Sequence, residues 1–304
     1  MNLKTKDLLT LAELTPKEFS GLIDYSIKLK KDLKNKKNHT ELKNKTLTMI
    51  FQKPSTRTRV SFETGMYQLG GHAINLSSND MQLSRGESVE DTAKTLSRYS
   101  DCIMARVYDH NLLEVLSKHA SIPIINGLSD SFHPCQILAD FMTIKEKKKK
   151  FKGLKIAWIG DGNNVCNSMI YGAALSGASM SIATPKGFTP EKKVVKESEN
   201  LTEITLTTDP TTAAKNADVV VTDTYSSIHN DDPKRIQQFL PKFQVNTKLM
   251  KFAKKNAIFL HCLPAKREQE VTSSVIDGPQ SVVWDEAENR LHTQKALLAS
   301  LIHA

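Results

Sequence analysis

The chain has 304 residues, which corresponds to about two domains at roughly 150 residues each. Its 39% hydrophobic content is enough to bury sizeable cores, and its net charge of +9 indicates an anionic partner without saying whether that is a nucleic acid, a membrane or a small phosphate. Aromatic residues make up only 6% and do not interleave with the lysine runs, which argues against a stacking platform for single-stranded nucleic acid.

The cysteines and the N-terminal residues indicate the compartment. No two of the four cysteines form a C-x-x-C pair, so neither a zinc ribbon nor a dithiol motif is predicted: Cys102, Cys135, Cys166 and Cys262. Scattered cysteines in a chain of this length are typical of reduced thiols. The first residues contain no apolar signal core, and no run of about 18 apolar residues could span a bilayer. We therefore expect a soluble, cytoplasmic protein.

Strand-like and helix-like stretches alternate along the first half of the chain. Strands are predicted at Thr46–Phe51, Ala73–Leu76, Cys102–Arg106 and Pro123–Asn126. Helices are predicted at Thr56–Leu69, Ser88–Tyr99, Leu112–His119 and Pro134–Lys150. This alternation is typical of a parallel sheet built from βαβ units.

The same alternation starts again in the second half. Strands are predicted at Leu154–Gly160, Ser179–Ala183, Ile204–Thr207, Ala217–Asp223, Ala257–Leu260 and Val282–Trp284, and helices at Val165–Leu175 and Asn289–Ile302. The predicted fold class is α/β, with two domains, each a parallel sheet flanked by helices, linked by long helices. The predicted domains are residues 1–146 and 147–288, with residues 289–304 forming a C-terminal helix that packs back on the first domain.

The segment Pro54–Arg59 lies between a predicted strand and a predicted helix. Backbone N–H groups at a helix N-terminus attract anions, and the arginines of this turn can bind phosphate oxygens in bidentate fashion. An ordinary Ser/Thr helix cap flanked by surface arginines is the alternative. The segment is not a Walker motif, because the glycine-rich loop and its lysine are missing. A small phosphorylated substrate is therefore favoured over a nucleotide.

Four sequence blocks resemble the aspartate and ornithine carbamoyltransferase family. They occur in the family's order and spacing, from about residue 50 to residue 300: Ser-Thr-Arg-Thr-Arg at 55–59, Phe-His-Pro-Cys-Gln at 132–136 with Asp140, His-Cys-Leu-Pro-Ala at 261–265, and Glu-Asn-Arg at 288–290. The aspartate branch carries other residues at the positions of Cys135 and Cys262, so the resemblance favours the ornithine branch.

The resemblance implies a first domain that binds carbamoyl phosphate. The residues implied to bind carbamoyl phosphate, including some outside that domain, would be Ser55, Thr56, Arg57, Thr58, Gln82, Arg106, His133, Pro134, Cys135, Gln136, Cys262, Leu263 and Arg290. Ser55 to Thr58 would hold the phosphate with Arg106, while Arg106, His133 and Thr58 would bind the carbonyl oxygen. Gln136 and the backbone around Cys262 and Leu263 would hold the carbamoyl amide, and Arg290 would close the pocket. Gln82 would reach the site of a neighbouring subunit, since the family's catalytic unit is a trimer.

The turn at Gly160–Val165 could be mistaken for a dinucleotide fingerprint. Its third glycine is missing, and no acidic residue ends the next strand to bind a ribose hydroxyl, so a nucleotide-dependent dehydrogenase is disfavoured. The resemblance implies that Asn167 binds the backbone groups of ornithine instead. Asp223, which ends an apolar strand, could accept hydrogen bonds from an ammonium group.

The segment that follows Asp223 departs from the family's ornithine loop, which is Ser-Met-Gly. Ser227 matches, Ile228 replaces the methionine with a similar apolar wall, and His229 replaces the glycine. The departure leaves the amine substrate open, so an N-acylated ornithine or putrescine remains an alternative to L-ornithine. The thiol of Cys262 could be a small buried apolar group, but within the motif it is favoured as a group that helps to take the proton from the attacking amine.

The implied activity is transfer of a carbamoyl group from carbamoyl phosphate to the δ-amine of L-ornithine, with release of citrulline and phosphate. The catalytic residues would be Arg106, His133, Asp223 and Cys262. No cofactor is expected, and no metal site is expected because His261-Cys262 lacks the spacing that zinc needs. Partners would be the two small substrates and identical subunits, not a membrane or nucleic acid. A basic nucleic-acid-binding protein on an α/β scaffold is the alternative from another class.

Overall fold

The computed structural model describes residues 1–77, 81–225 and 232–302 of the chain. The chain folds as two compact units, Met1–Met142 with Glu288–Ala304, and Thr143–Ala287. Each unit contains one parallel β-sheet flanked by helices, which confirms the predicted α/β class. The predicted domain limits at residues 146 and 288 stay a prediction. Within the part of the chain that the structure describes, no helix is both long and apolar enough to span a membrane.

The first unit alternates strands and helices after a helical N-terminal region. Its elements are α1 (Pro16–Lys34), β1 (Thr46–Phe51), α2 (Thr56–Gln68), β2 (His72–Ser77), α3 (Val89–Leu96), β3 (Cys102–Arg106), α4 (His110–His119), β4 (Ile124–Leu128) and α5 (Pro134–Lys148), with short 3-10 helices at Leu11–Glu13 and Gln82–Arg85. The strand order is β2-β1-β3-β4, and every pair is parallel. Strands β1 and β3 are the two central strands, and their side chains are buried except at the strand ends.

The second unit repeats the same plan with five strands. Its elements are β5 (Lys155–Ile159), α6 (Asn164–Ser176), β6 (Ser179–Ala183), α7 (Lys192–Ser198), β7 (Ile204–Thr207), α8 (Pro210–Ala214), β8 (Val219–Thr222), α9 (Pro233–Gln237), α10 (Thr247–Met250), β9 (Ile258–His261), α11 (Ser273–Ile276) and α12 (Val283–Leu301). The strand order is β7-β6-β5-β8-β9, again with parallel pairs only. Strand β5 lies in the middle, and Val219–Thr222 is buried along its whole length.

One predicted strand is wrong. Val282–Trp284 is not a strand, because α12 begins at Val283, six residues before the predicted start of the last helix. Strand-like pairing is limited to a single parallel bridge between Ser281 and Phe259, one residue before the predicted strand begins at Val282. Two carboxylates in the first turn of α12 stabilise its N-terminus through the helix dipole, which outweighs the β-propensity of the two valines.

The chain passes from the first unit to the second within α5 and returns within α12. These are the two long helices that the sequence predicts as links. The C-terminal part of α12 belongs to the first unit, where Lys30 of α1 donates a 2.7 Å hydrogen bond to the side chain of Asn289.

Candidate active site

The carboxyl ends of β1 and β3 form the point in the first sheet where the chain order reverses. From β1 the chain continues to β2 on one side, whereas β3 lies on the other side. Phe51 at the end of β1 is in register with Arg106 at the end of β3. Ligands of open parallel sheets bind beyond the strand ends at such a reversal. The topology alone therefore places the Ser-Thr-Arg-Thr-Arg turn and Arg106 at one ligand-binding edge.

The turn after β1 becomes the N-terminus of α2. Ser55 is the N-cap, and its hydroxyl accepts a 3.3 Å hydrogen bond from the backbone N–H of Thr58. Thr56 and Arg57 occupy the first turn, where backbone N–H groups lack acceptors within the helix. Both remain at least partly exposed. The helix start thus offers N–H groups, hydroxyls and one guanidinium to an anion such as phosphate.

A bulge lies between β3 and β4 beside Arg106. Ala105 pairs with Asn126 whereas Arg106 pairs with Leu128, so Gly127 is the extra residue. A Cβ atom at Gly127 would lie 2.4 Å from the sulfur of Met104, which explains the glycine. Bulges at strand ends re-aim the neighbouring side chain, and this one sits at the predicted catalytic arginine.

Arg290 binds two of the predicted site residues at once. Its Nη2 donates to Oγ1 of Thr58 at 3.2 Å, and its Nη1 donates to Oε1 of Gln136 at 2.7 Å. All three side chains are buried, and Nε2 of Gln136 donates in turn to Oδ1 of Asp140 at 2.8 Å. The first unit therefore brings together residues from α2, α5 and α12 that are up to 232 positions apart in sequence.

His133 lies just before α5 and is buried. Burial and, after it, the positive charges of Arg290, Arg106 and Arg57 lower the pKa of His133 well below its ordinary value. Three arginines from the predicted carbamoyl-phosphate set thus lower the pKa of one imidazole. At neutral pH the ring is uncharged, and it can donate one N–H without adding to the positive charge around it.

The other predicted carbamoyl-phosphate residues occupy different surroundings. Pro134 begins α5, and the buried thiol of Cys135 donates to the carbonyl oxygen of Asn126 at 3.4 Å. Burial raises the pKa of the Cys135 thiol to about 12, so this sulfur stays protonated at neutral pH, and its contact with carbamoyl phosphate stays a prediction. Gln82 is exposed in the 3-10 helix Gln82–Arg85. Its role toward a neighbouring subunit stays a prediction.

The second unit has its own reversal of strand order, between β5 and β8. Asp223 directly follows β8 and is buried. Asn163 follows β5 and caps α6, where its Oδ1 accepts hydrogen bonds from the N–H groups of Val165 and Cys166 at 3.0 and 3.1 Å. Because Oδ1 of Asn163 caps the helix, the Nδ2 atom of the same amide points away from α6. It donates to Oδ2 of Asp223 at 2.8 Å.

Cys262 contacts the same carboxylate. It follows β9, and its thiol donates to Oδ1 of Asp223 at 3.0 Å. The N–H of Thr224 donates to that oxygen as well, at 2.7 Å. The predicted pair of Asp223 and Cys262 is thus in direct contact, with both carboxylate oxygens oriented by protein donors.

The side chain of His261 contacts the backbone of Leu263, the residue that follows Cys262. Its Nδ1 accepts the N–H of Leu263 at 2.9 Å, and its Nε2 lies 3.1 Å from Oε1 of Glu270. Leu263 has a φ of 57°, a left-handed conformation that costs a non-glycine residue energy and is found at functional turns. The role of Leu263 toward the carbamoyl amide stays a prediction.

One cluster among the described side chains offers the ligand types of a metal site. Asp223, His261 and Cys262 each present a ligand atom, all within 4.8 Å of one another. Both ring nitrogens of His261 already have contacts. A metal ion here would have to displace one of these two contacts, and the expected absence of a metal site stays a prediction.

Asn167 lies in α6 and is buried. Its amide exchanges hydrogen bonds with Glu191, accepting from the backbone N–H at 3.0 Å and donating to Oε1 at 3.2 Å. A contact with ornithine stays a prediction. The Gly-Asp-Gly turn nearby serves close packing: a Cβ at Gly162 would lie 2.3 Å from the backbone nitrogen of Pro190.

Ser227 and Ile228, both predicted to bind ornithine, lie outside the described residues, as does His229. Arg235, which follows this segment, contacts Tyr225, which precedes it. Its Nε donates to the carbonyl oxygen of Tyr225 at 2.8 Å, and its Nη2 contacts Oδ2 of Asp161. Burial raises the pKa of Asp161 to about 6, against the lowering effect of the Arg235 charge.

Sequence reasoning missed three of these residues. Asn163 could have been found, since an Asn after a strand and a glycine turn is the usual helix cap. Glu270 and Arg235 lie in no recognisable sequence motif. Glu270 contacts His261 and Arg235 contacts Tyr225 only because the folded chain brings them together.

Two family models match the chain. A model described as "Aspartate/ornithine carbamoyltransferase, carbamoyl-P binding domain" matches residues 6–146, and the corresponding "Asp/Orn binding domain" model matches residues 152–301. The first range holds the turn at Ser55 together with His133, and the second holds Asp223 and Cys262.

Similar proteins extend over nearly the full chain. The ornithine carbamoyltransferase of Cenarchaeum symbiosum is 60% identical over 301 residues, covering 99% of each chain. The structure of the ornithine carbamoyltransferase from Pyrococcus furiosus superposes with a TM-score of 0.95 at 50% identity, covering 99% of this chain and 98% of that one. The Thermus thermophilus enzyme gives a TM-score of 0.91 at 41% identity, covering 99% and 100%. The chain therefore belongs to the aspartate/ornithine carbamoyltransferase family.

Proposed function

We infer that this chain transfers the carbamoyl group of carbamoyl phosphate to the δ-amine of L-ornithine and releases L-citrulline and phosphate. Relatives named ornithine carbamoyltransferase at 50–60% identity support this activity over the aspartate branch. The contact that best supports the amine half is the one between Cys262 and Asp223, because it joins an oriented carboxylate at the second sheet's reversal point to a thiol at the end of the next strand.

The first unit supplies the groups that an anionic acyl donor needs. The N-terminus of α2, Arg57 and Arg106 would bind the phosphate of carbamoyl phosphate. Thr58, Arg106 and neutral His133 would donate hydrogen bonds to the carbonyl oxygen, and Gln136 would bind the amide. Each donor aimed at the growing oxyanion is worth on the order of 3 kcal/mol.

The second unit supplies the groups that bind and deprotonate the amine. Asp223 would accept hydrogen bonds from the δ-ammonium of ornithine, which must lose a proton before its nitrogen can attack. The nitrogen then forms a bond to the carbonyl carbon, and the carbonyl electron pair moves to oxygen. Collapse of this tetrahedral intermediate expels phosphate with the electron pair of the C–O bond. The second proton of the nitrogen passes to the departing phosphate oxygen, while Asp223, which accepts the thiol of Cys262, is the proposed acceptor of the first.

No cofactor takes part in these steps, because phosphate is already a good leaving group. Fixing both reactants in position accounts for much of the remaining acceleration. The roles of these residues in binding phosphate and the amine are proposed from the match to the family's motifs and from the contacts described above.

We also propose a homotrimer or a multiple of trimers, with Gln82 acting in the site of a neighbouring subunit. A biosynthetic direction is proposed because relatives from Pyrococcus furiosus and Campylobacter jejuni are named anabolic. A role in arginine metabolism and a cytoplasmic location belong to the same proposal. The four cysteines are free thiols, which is compatible with that location.

Citrulline formation with different amines tests the activity. Purified protein would be given carbamoyl phosphate with L-ornithine, N-acetyl-L-ornithine or putrescine. Putrescine lacks the carboxylate, and an acylated α-amine loses its charge, so each leaves binding groups unpaired at about 1–3 kcal/mol. L-Ornithine should therefore give a kcat/KM at least roughly tenfold above both. A higher kcat/KM with either rival would overturn the assigned substrate.

A further inference from the structure

We propose that Asn126 is a positioning residue that holds His133 in place, where the imidazole would donate with Arg106 to the carbonyl oxygen of carbamoyl phosphate. This inference rests on the proposed function. Asn126 lies in β4, directly before the bulge at Gly127, and is fully buried. Asparagine is uncommon in strands, and a buried amide is stable there only when its polar groups are matched to particular partners.

The side-chain amide of Asn126 joins two other segments of the chain to β4. Its Nδ2 donates to the carbonyl oxygen of Leu9 at 2.8 Å and to that of Phe132 at 3.3 Å, and Oγ of Ser129 lies 3.5 Å away. Carbonyl oxygens only accept hydrogen bonds, so the NH2 end of the amide must face them. Because Phe132 directly precedes His133, the amide acts on the peptide group that leads into the imidazole residue.

The backbone of Asn126 contacts the chain on the other side of His133. Its carbonyl oxygen accepts the thiol of Cys135, in the first turn of α5, at 3.4 Å. Its N–H donates to the carbonyl oxygen of Leu8 at 2.8 Å, so the N-terminal segment is attached to the same residue. His133 thus lies between two residues, Phe132 and Cys135, that both contact Asn126.

The loop before His133 also has hydrogen bonds of its own. The N–H of Ser129 donates to the carbonyl oxygen of Phe132 at 2.9 Å, which closes a turn within the loop. Nδ1 of His110 lies 2.8 Å from Oγ of Ser129 and so holds the start of the loop from α4. Asn126 belongs to a strand, and its amide therefore connects the end of the loop to the sheet.

Asn126 also lies next to the strand that carries Arg106. It is in register with Ala105, the residue before Arg106. The charge of Arg106 contributes to lowering the pKa of His133, as expected for two neighbouring side chains. Loss of the Asn126 amide should therefore shift His133 relative to Arg106. Binding of a carbonyl oxygen should suffer more than binding of a phosphate group.

Asn126→Asp is the informative change because it keeps the size of the side chain. An aspartate, whether ionised or protonated, cannot supply both hydrogen bonds to Leu9 and Phe132. Thr48→Val is the matched control, since it removes a buried side-chain hydrogen bond with Ser100 from β1 of the same sheet. Circular dichroism and thermal unfolding would establish that both variants fold. Should Asn126→Asp not fold, Asn126→Ser, which keeps one donor, serves for the same comparison.

Two ligands separate the carbonyl contact from the phosphate contact without catalysis. Phosphonoacetamide carries a carbonyl group as well as a phosphonate, whereas inorganic phosphate carries no carbonyl. Asn126→Asp should raise the calorimetric Kd for phosphonoacetamide by about tenfold, the value of one hydrogen bond, and leave that for inorganic phosphate within about twofold of wild type. Thr48→Val should leave both Kd values within about twofold.

The outcomes separate the two levels of inference. Equal weakening of both ligands in Asn126→Asp would show that Asn126 supports the whole site rather than His133, and would overturn the proposal. Unchanged Kd values for both ligands would overturn it as well, while leaving the proposed function intact. Failure of the wild type to bind phosphonoacetamide would overturn the proposed function, and with it this inference.

A double-mutant cycle tests whether the effect passes through His133. Asn126→Asp alone should lower kcat/KM for carbamoyl phosphate by about tenfold or more, because a misplaced donor stabilises the oxyanion less well. In a His133→Ala background the same change should lower it by less than about threefold. Independent, multiplying losses in the double variant would show that Asn126 acts elsewhere in the fold and would overturn the proposal.

Discussion

The thiol of Cys262 lies 3.0 Å from Oδ1 of Asp223, although the two residues are 39 positions apart in sequence. Each directly follows a strand, and β8 and β9 are neighbours in the second sheet. Thr222 of β8 is in register with His261 of β9, so the residues that come next lie side by side. The contact is a consequence of parallel pairing rather than of a flexible loop.

Removal of this thiol should slow the chemical step more than substrate binding. Cys262→Ala leaves Asp223 without one of its donors, and we expect kcat to fall by about a hundredfold, within the range of a general acid–base group. Cys262→Ser retains a donor and should lose less. Steady-state kinetics with L-ornithine would measure both, and a kcat of Cys262→Ala within twofold of wild type would remove Cys262 from the mechanism.

Arg57 should be needed for the acyl donor. Its position in the first turn of α2 places a guanidinium beside the helix N-terminus. Arg57→Ala should lower kcat/KM for carbamoyl phosphate by about a thousandfold, with little change in thermal stability because the side chain is partly exposed. Arg59→Ala is the matched control, since that neighbouring arginine forms an exposed i,i+4 ion pair with Glu63. Equal losses in both variants would contradict a specific phosphate contact.

The strands could largely be predicted from the sequence, and the contacts within the site could not. Thr46–Phe51 is a continuous apolar run before a helix-capping turn, so local pattern and fold agree. Val282–Trp284 has an equally strand-like pattern but enters α12, where Glu286 accepts the backbone N–H of His261 at 2.9 Å. The first-turn carboxylates of α12 favour the helix locally, and the tertiary contact of Glu286, which local propensity does not include, adds to their effect.

His133 should make the folded state less stable in acid. Its pKa is depressed in the folded chain by burial and by Arg290, Arg106 and Arg57. Below the unfolded pKa of about 6.5 the unfolded chain takes up a proton that the folded chain does not, so the free energy of unfolding falls as the pH falls. The contribution is at most about 1.4 kcal/mol per pH unit.

Urea unfolding at pH 7.5 and pH 5.5 would measure this effect. His133→Asn should lose less stability than wild type between these pH values. Histidine NMR signals give a second check, because the His133 resonance should not titrate between pH 7.5 and 5.5. A midpoint for His133 near 6.5 would contradict the neutral, buried imidazole.

Gln82 should act in a neighbouring subunit. Chains with Gln82→Ala and chains with Arg106→Ala should each be nearly inactive. Co-refolded mixtures should regain activity, because some hybrid sites take an intact residue from each chain. Mixed oligomers would first be verified by native mass spectrometry, and mixed oligomers without recovered activity would indicate that each site is built from one chain.

Asn163 should position Asp223 for the amine, and its two hydrogen-bonding roles can be separated. Oδ1 caps α6, while Nδ2 donates to Oδ2 of Asp223 at 2.8 Å. Asn163→Ser keeps a capping oxygen and removes the donor, so stability should change by less than about 0.5 kcal/mol while KM for ornithine rises by about tenfold. Asn163→Ala removes both and should in addition cost about 1 kcal/mol of stability. Because the donor is lost in both variants, their KM values for ornithine should agree within about twofold. A normal KM in Asn163→Ser would show that Asp223 keeps its orientation without Asn163, and that the residue serves only as the helix cap.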